Sequence, residues 1–260
     1  MANSRSGESM TDRIVRVLAT FSDGRPSQTA TEIGRRAGLP RSTAHRIVDD
    51  LVDSGILERD ARGRVRLGMR LWELAHRGSR ALRLREAALP HMERVQLRIR
   101  EHTQLAVLED GEALFLERLS DPDAGLNIAR VAGRLPLHAS SSGLVLLAYA
   151  PAAVFDAVVA AGLTRLTQDT VHDAARLRAV LAETRTRGYS IARGSVSEVS
   201  TGVAVPIRDR GDVVAALSVV LPRDDPRAQR AVEVLVAAAA AIGASLGRPP
   251  ERIGVPFNGS

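Results

Sequence analysis

The stretch over residues 29–55, TATEIGRRAGLPRSTAHRIVDDLVDSG, constrains this chain more than any other. Thr29 and Glu32 stand at capping-box spacing: the threonine oxygen can accept from the amide three residues on, while the glutamate reaches back to the cap. A short helix through Ile33 and Ala37 follows, and Gly38 can end it in the left-handed conformation that a Cβ disfavours. Pro40 suits the start of the next helix, where a missing amide hydrogen costs nothing. That helix runs to about Asp53, with Ala44, Ile47, Val48 and Leu51 on one face, and Ser54-Gly55 closes it. Two helices so joined form a helix-turn-helix.

The flanks extend the motif. Residues 10–21 carry Ile14, Val15, Val17, Leu18 and Phe21 at amphipathic spacing, and Asp23-Gly24 with Pro26 ends that helix. Residues 56–59 and 64–67 read as short strands about Asp60-Ala61-Arg62-Gly63. The order predicts a winged helix-turn-helix over residues 10–68. A helical linker is expected over 69–82, with Leu71, Trp72 and Ala75 on one side.

Residues 83–248 read differently. A helix over 84–101, bent at Pro90, leads to strands 104–109 and 112–119 about the hairpin turn Asp110-Gly111. A further strand is expected over 126–131, then helices at 140–149, 151–161 and 173–188. Strands at 189–192, 202–208 and 213–221 and a last helix at 226–246 complete the domain, and the Pro- and Gly-rich tail after Arg248 reads as loose. At 260 residues the chain suits two domains, of mixed α/β (α+β) class.

Charge points to the partner of the first domain. All 36 basic residues are arginine and the net charge is +6, most of it in residues 10–80, where 14 arginines face nine carboxylates. Within the second helix of the motif, Arg41, Ser42, Thr43, His45 and Arg46 come first and Asp49, Asp50 and Asp53 last. Only the first half can approach phosphates without repulsion, as when a recognition helix points its N-terminus into the major groove. Arginine can also read guanine through two hydrogen bonds. The expected DNA-binding set is Thr29, Arg41, Ser42, Thr43, His45, Arg46 and, in the hairpin, Arg62 and Arg64, with Arg59 and Arg66 adding to the wing's charge. The alternative is a three-helix protein-interaction domain with a solvated basic edge; helix order, cap signals and the placement of charge together favour DNA over it.

Other chemistries find little support. No cysteine is present, so thiolate metal sites, thiol nucleophiles and disulfides are excluded. Histidines 45, 76, 91, 102, 138 and 172 show no ligand spacing, and Gly-rich phosphate loops are lacking, so neither metal nor cofactor is expected. The first nine residues lack the apolar core of a signal peptide, and the longest apolar run, 232–243, reads as too short to span a bilayer. A cytoplasmic protein without a membrane partner follows. His138 beside Ser140, Ser141 and Ser142 raises a hydrolase reading, but there is no G-x-S-x-G elbow and neighbours in one loop rarely reach catalytic geometry. The serines are better read as a helix cap and His138 as a structural hydrogen bonder. No enzyme is expected; the alternative is a DNA-binding head fused to a small-molecule-converting enzyme, which turnover would reveal.

Several segments agree in order and spacing with one family. The motif above, RLGMRLWELA after the wing, then GRLPLHASSSGLVLLA, RTRGYS and GVAVPIRDRGDVVAALSVVLP make residues 10–246 resemble the isocitrate lyase regulator (IclR) family of bacterial transcription regulators. The resemblance implies a winged helix-turn-helix joined by a helix to a GAF-like effector domain, working as a dimer or dimer of dimers on a palindromic operator. It implies a small-molecule effector in a pocket against the sheet, walled by residues 136–143, the strand before them and the stretch after Gly188-Tyr189. The family's acidic residues after that pair, and its later Gly-x-x-Cys, fall here on Ala192, Arg193, Ser195, Val199 and Gly202. The effector residues so implied are Arg130, Ala139, Ser140, Gly143, Ala192, Arg193 and Gly202. A pocket arginine needs an anionic partner. One expectation is therefore an aromatic or hydrophobic carboxylate held by arginine, with Ala192 and Gly202 leaving room for its apolar body. The other is that Arg193 faces solvent or pairs with Glu198, and the ligand is neutral.

Overall fold

The computed structural model describes residues 8–247 apart from Asp23 and Leu126. The expected tail after Arg248, the domain limit at 248 and most of the N-terminal polar segment lie outside the described residues. The chain divides between Leu82 and Arg83 into two compact units.

The first unit holds α1 (Met10–Leu18), α2 (Ala30–Arg36), α3 (Arg41–Asp53), β1 (Leu57–Arg59), β2 (Val65–Leu67) and α4 (Met69–Gly78). The capping box forms as its spacing predicts: the Thr29 amide donates to Glu32 Oε2 at 2.7 Å, and the Glu32 amide donates to Thr29 Oγ1 at 3.2 Å. Gly38 stands at φ +63°, the left-handed turn between α2 and α3. A Cβ on Gly34 would lie 2.8 Å from the Ala44 Cβ, so the glycine lets the two helices close on each other. Val17, Ile33, Ile47, Val48, Leu57 and Val65 make the core. The wing is the antiparallel pair β1–β2, extended by a bridge in which Gln28 and Val65 exchange backbone hydrogen bonds of 2.9 and 2.7 Å. Asp60 Oδ1 accepts from the amides of Arg62 and Arg64, both at 2.9 Å, and so fixes the wing tip. No residue of α4 is buried; Trp72 stacks on His76 with ring centroids 4.6 Å apart.

The second unit is built on six antiparallel strands in the order β5-β4-β3-β8-β7-β6: β3 (His102–Glu109), β4 (Glu112–Ser120), β5 (Arg134–Pro136), β6 (Ser190–Arg193), β7 (Ser200–Asp209) and β8 (Asp212–Pro222). Both faces are covered, so apolar residues occupy both parities of the pleat. Leu105, Val203, Val205, Leu217 and Val219 pack against α5 (Arg80–Ile99) and α9 (Ala228–Leu246). Ala106, Phe115, Ala204 and Ala216 face α6 (Ser141–Ala148), α7 (Ala152–Ala161) and α8 (Ala174–Arg187). Every residue of α6 is buried. The apolar stretch read as too short to span a bilayer is part of α9, which at 19 residues is long and apolar enough by length and composition. Its Ala231, Leu235, Ala239 and Ile242 are instead buried in the sheet's core.

The expected strand over 126–131 does not form among its described residues; the edge strand is β5, further on. Side chains serve that backbone in place of a ladder: Asn127 Oδ1 accepts from the Ala129 amide at 3.0 Å, and Arg118 donates to the Ala129 carbonyl at 2.7 Å.

Candidate functional site

Two sites emerge, one in each unit. In the first, α3 begins at Pro40 without a side-chain cap, so the positive end of its dipole and its first amides stay open. Ala44, Ile47 and Val48 are buried, which leaves Arg41, Ser42 and Arg46 exposed and Thr43 and His45 half-buried. His45 Nε2 lies 3.4 Å from the Thr31 hydroxyl at the start of α2. Asp49, in the acidic half, pairs with Arg59 of the wing. The exposed surface is thus arginine and open amides at one end, with acid partly neutralised at the other.

The wing arginines are not equivalent. Arg66 donates twice to Glu58 Oε2, at 2.9 and 3.1 Å. The Met69 amide, and then Arg66, hold the Glu58 carboxyl below the usual carboxylate range. Arg64 bonds Ser27 through its Oγ at 3.2 Å and its carbonyl at 2.6 Å, and lies 3.8 Å from Glu32. Among the described residues, Arg62 is the one wing arginine whose guanidinium has no such partner. The Thr29 hydroxyl is committed to the capping box, where the Thr29 amide and hydroxyl hold the Glu32 carboxyl low.

The second site is a pocket of about 470 Å³, counted out to its open mouth, between the start of α6 and the sheet. Gln104, Phe115, Ser200 and Gly202 come from the strands, Ser140, Ser141 and Ser142 from the start of α6, and residues 127–129 with Val196 and Ser197 from the rim. Close approach fixes this geometry: a Cβ on Gly202 would stand 2.5 Å from Ser141 Oγ, and one on Gly143 2.6 Å from the Leu137 backbone. Ser140 caps α6 by accepting from the Gly143 amide at 3.0 Å. The Ser142 hydroxyl donates to Ser218 at 2.9 Å, and Ser218 donates on to Gln104 Oε1 at 3.4 Å. The amide nitrogens of Gln104 and Asn127 are buried and lack an acceptor.

Of the expected effector residues, Ser140, Ala192 and Gly202 line this pocket. Ala139 and Gly143 are buried outside its lining, Gly143 packed on Leu137. Arg193 and Arg130 are exposed and outside it, which corrects the expectation of an arginine inside. The cause for Arg193 is the pleat: Ala192 faces the pocket, so the next residue on β6 points to the opposite side. No Arg193–Glu198 pair forms among the described residues; the Glu198 carbonyl accepts from Arg223 at 3.0 Å. His138 is buried with Nε2 2.9 Å from the Thr164 carbonyl, a structural contact. Sequence reading missed Gln104, Phe115 and Asn127, whose role depends on strands and loops distant in the chain.

Comparison with known proteins agrees with this two-part geometry. Residues 11–61 match the IclR helix-turn-helix domain, and residues 78–244 match the domain described as bacterial transcriptional regulator IclR C-terminal. The HTH-type transcriptional regulator XynR of Escherichia coli is 29% identical over 244 residues, covering 92% of this chain and 97% of that protein. The HTH-type transcriptional repressor AllR of Klebsiella pneumoniae is 28% identical over 258 residues, 96% of this chain and 94% of that one. Among solved structures, an IclR homolog from Microbacterium hydrocarbonoxydans complexed with 4-hydroxybenzoate is 59% identical. It superposes with a TM-score of 0.87, covering 92% of this chain and 99% of that one.

Proposed function

The chain belongs to the IclR family of bacterial transcriptional regulators, and from that premise we propose that it grips an inverted-repeat operator as a dimer or dimer of dimers and changes its hold when an aromatic acid fills the pocket under α6. It is a helix-turn-helix DNA-binding regulator with an effector domain, as its matched domains and relatives are. Residues 10–68 read DNA, 69–82 link, and 83–248 bind the effector. Chromosomal DNA as partner puts its work in the cytoplasm.

One observation carries the ligand class: a relative 59% identical was crystallised with 4-hydroxybenzoate, and this pocket pairs the Phe115 ring with hydroxyls, carboxamides and a helix N-terminus. Such a lining suits an aromatic body with oxygen substituents. Dimerisation is supported by α4, where Leu71 is half-buried, Trp72 and Ala75 are exposed, and no residue is fully buried. A single head also contacts too few base pairs for operator-level specificity. Base contact is assigned to Arg41, Ser42 and Arg46, with Thr43 and His45 beside them and Arg62 on phosphate. Thr29 and Arg64 serve by positioning α2 and the wing.

Selection from a random duplex library, followed by gel shift with and without 4-hydroxybenzoate, tests this reading. An inverted repeat whose affinity changes with the acid is expected. A lone half-site bound by a monomer, or affinity indifferent to saturating acid, would contradict it.

A further inference from the structure

Resting on the reading of this pocket as an aromatic-acid site, we propose that it holds the ligand's carboxylate with uncharged donors alone, and that Gln104 and Asn127 are the residues that select it. No arginine or histidine lines the pocket. A carboxylate entering it must still replace its lost water with hydrogen bonds.

Two side chains are set to supply them. Gln104 is 3% exposed, and its Oε1 already accepts from Ser218, which in turn accepts from Ser142. That relay turns the Nε2 of Gln104 away from Ser218, and it is left buried without an acceptor. Asn127 repeats the arrangement from the rim: its Oδ1 accepts from the Ala129 amide, and its Nδ2 is buried with nothing to donate to. Buried donors are nearly always satisfied in folded proteins, so two in one pocket point to an acceptor that the protein itself does not provide. The start of α6 adds the positive end of a helix dipole at Ser141 and Ser142, in the same lining as Gln104. Arg118, the register partner of Gln104 on β4, donates to the Ala129 carbonyl at 2.7 Å and stays outside the lining. It braces the wall that carries Asn127.

Neutral donors support one negative charge and leave a second uncompensated. The pocket therefore takes a singly charged aromatic acid, rejects a dicarboxylate, and rejects the matching amide, whose NH₂ would meet donors with a donor.

Calorimetry of the full-length protein with 4-hydroxybenzoate, 4-hydroxybenzamide and benzene-1,4-dicarboxylate tests this. Wild type should bind the first at least about tenfold more tightly than the other two, since a hydrogen bond to a charged group is at stake. Gln104→Met should lose most of that preference for acid over amide. Gln104→Glu should bind the acid only with uptake of a proton, so that its affinity falls as pH rises while wild type stays flat between pH 6 and 8, where the ligand's phenol remains protonated. Asn127→Asp keeps the acceptor for Ala129, inverts the donor, and should weaken the acid; it carries the test if the Gln104 variants fail to fold. If wild type binds the acid and the folded variants match its preference and pH profile, the inference is overturned while the effector reading stands. If wild type binds no aromatic acid at all, both fall together.

Discussion

Replacing Arg62 and Arg64 one at a time separates two wing residues that look alike in the sequence. Arg64 is tied to Ser27 by bonds of 2.6 and 3.2 Å, whereas the Arg62 guanidinium extends from the wing tip without a partner among the described residues. Each phosphate neutralised on B-DNA contributes about −0.9 to the slope of log affinity against log salt. The proposed dimer would present two copies of Arg62, so Arg62→Ala should flatten the slope by about 1.8. Between 50 and 200 mM salt, wild type should then lose about twelvefold more affinity than the variant. Arg64→Ala should leave the slope nearly unchanged and instead destabilise the head by roughly 1 kcal/mol, kept small because the side chain is 41% exposed. Fluorescence anisotropy on a labelled operator across a salt series gives the slopes, and calorimetric melting gives the stability. A wild-type slope in Arg62→Ala, or equal flattening by Arg64→Ala, would refute the division.

Three further substitutions probe other parts of the molecule. Arg46→Ala should cost roughly 1–3 kcal/mol of operator affinity per half-site in a gel shift, with the melting curve unchanged, because the side chain is exposed on α3 and packs in no core. Gly34→Ala gains about 1 kcal/mol of helix propensity but places a methyl 2.8 Å from the Ala44 Cβ. Overpacking costs roughly 1–3 kcal/mol, so the variant should melt no higher than wild type and lose DNA binding as α2 and α3 are forced apart. The Asp225 carboxyl is held low chiefly by the Arg227 guanidinium, which also reaches the Ile99 carbonyl at 3.0 Å. Its stabilisation is present above the unfolded value near 3.8 and is lost as pH falls through the lower folded one. Asp225→Asn should therefore melt lower at neutral pH and lose part of its acid sensitivity below about pH 4 in a pH series of melts.

The reading head was legible because its determinants are local. Capping box, left-handed glycine, proline at the helix start and three- and four-residue apolar spacing all act within a few residues, and each formed where its chemistry required. The other expected strands also came through, with ends displaced by a residue or two, but the edge strand β5 was not foreseen. Of the pocket, Ser140, Ala192 and Gly202 were legible, the first and last also as backbone constraints, a helix cap and a close approach. Arg193 fell on the wrong side because its face depends on pleat parity within β6, which the preceding turn sets. Gln104 gave no sign of its role, since its partner Ser218 is 114 residues away and only sheet order joins them. The strand expected at 126–131 failed for a related reason: Asn127 and Arg118 occupy the backbone groups that a ladder would have used.

Reciprocal titration bears most directly on a pocket coupled to a reading head. Operator affinity is measured with and without saturating 4-hydroxybenzoate, and 4-hydroxybenzoate affinity with and without saturating operator. If one protein couples the two sites, both pairs must change by the same factor, and coupling energies of about 1–3 kcal/mol predict a change of roughly 5- to 150-fold. Ligand binding that leaves operator affinity untouched, or two factors that disagree, would contradict a regulator working through this pocket.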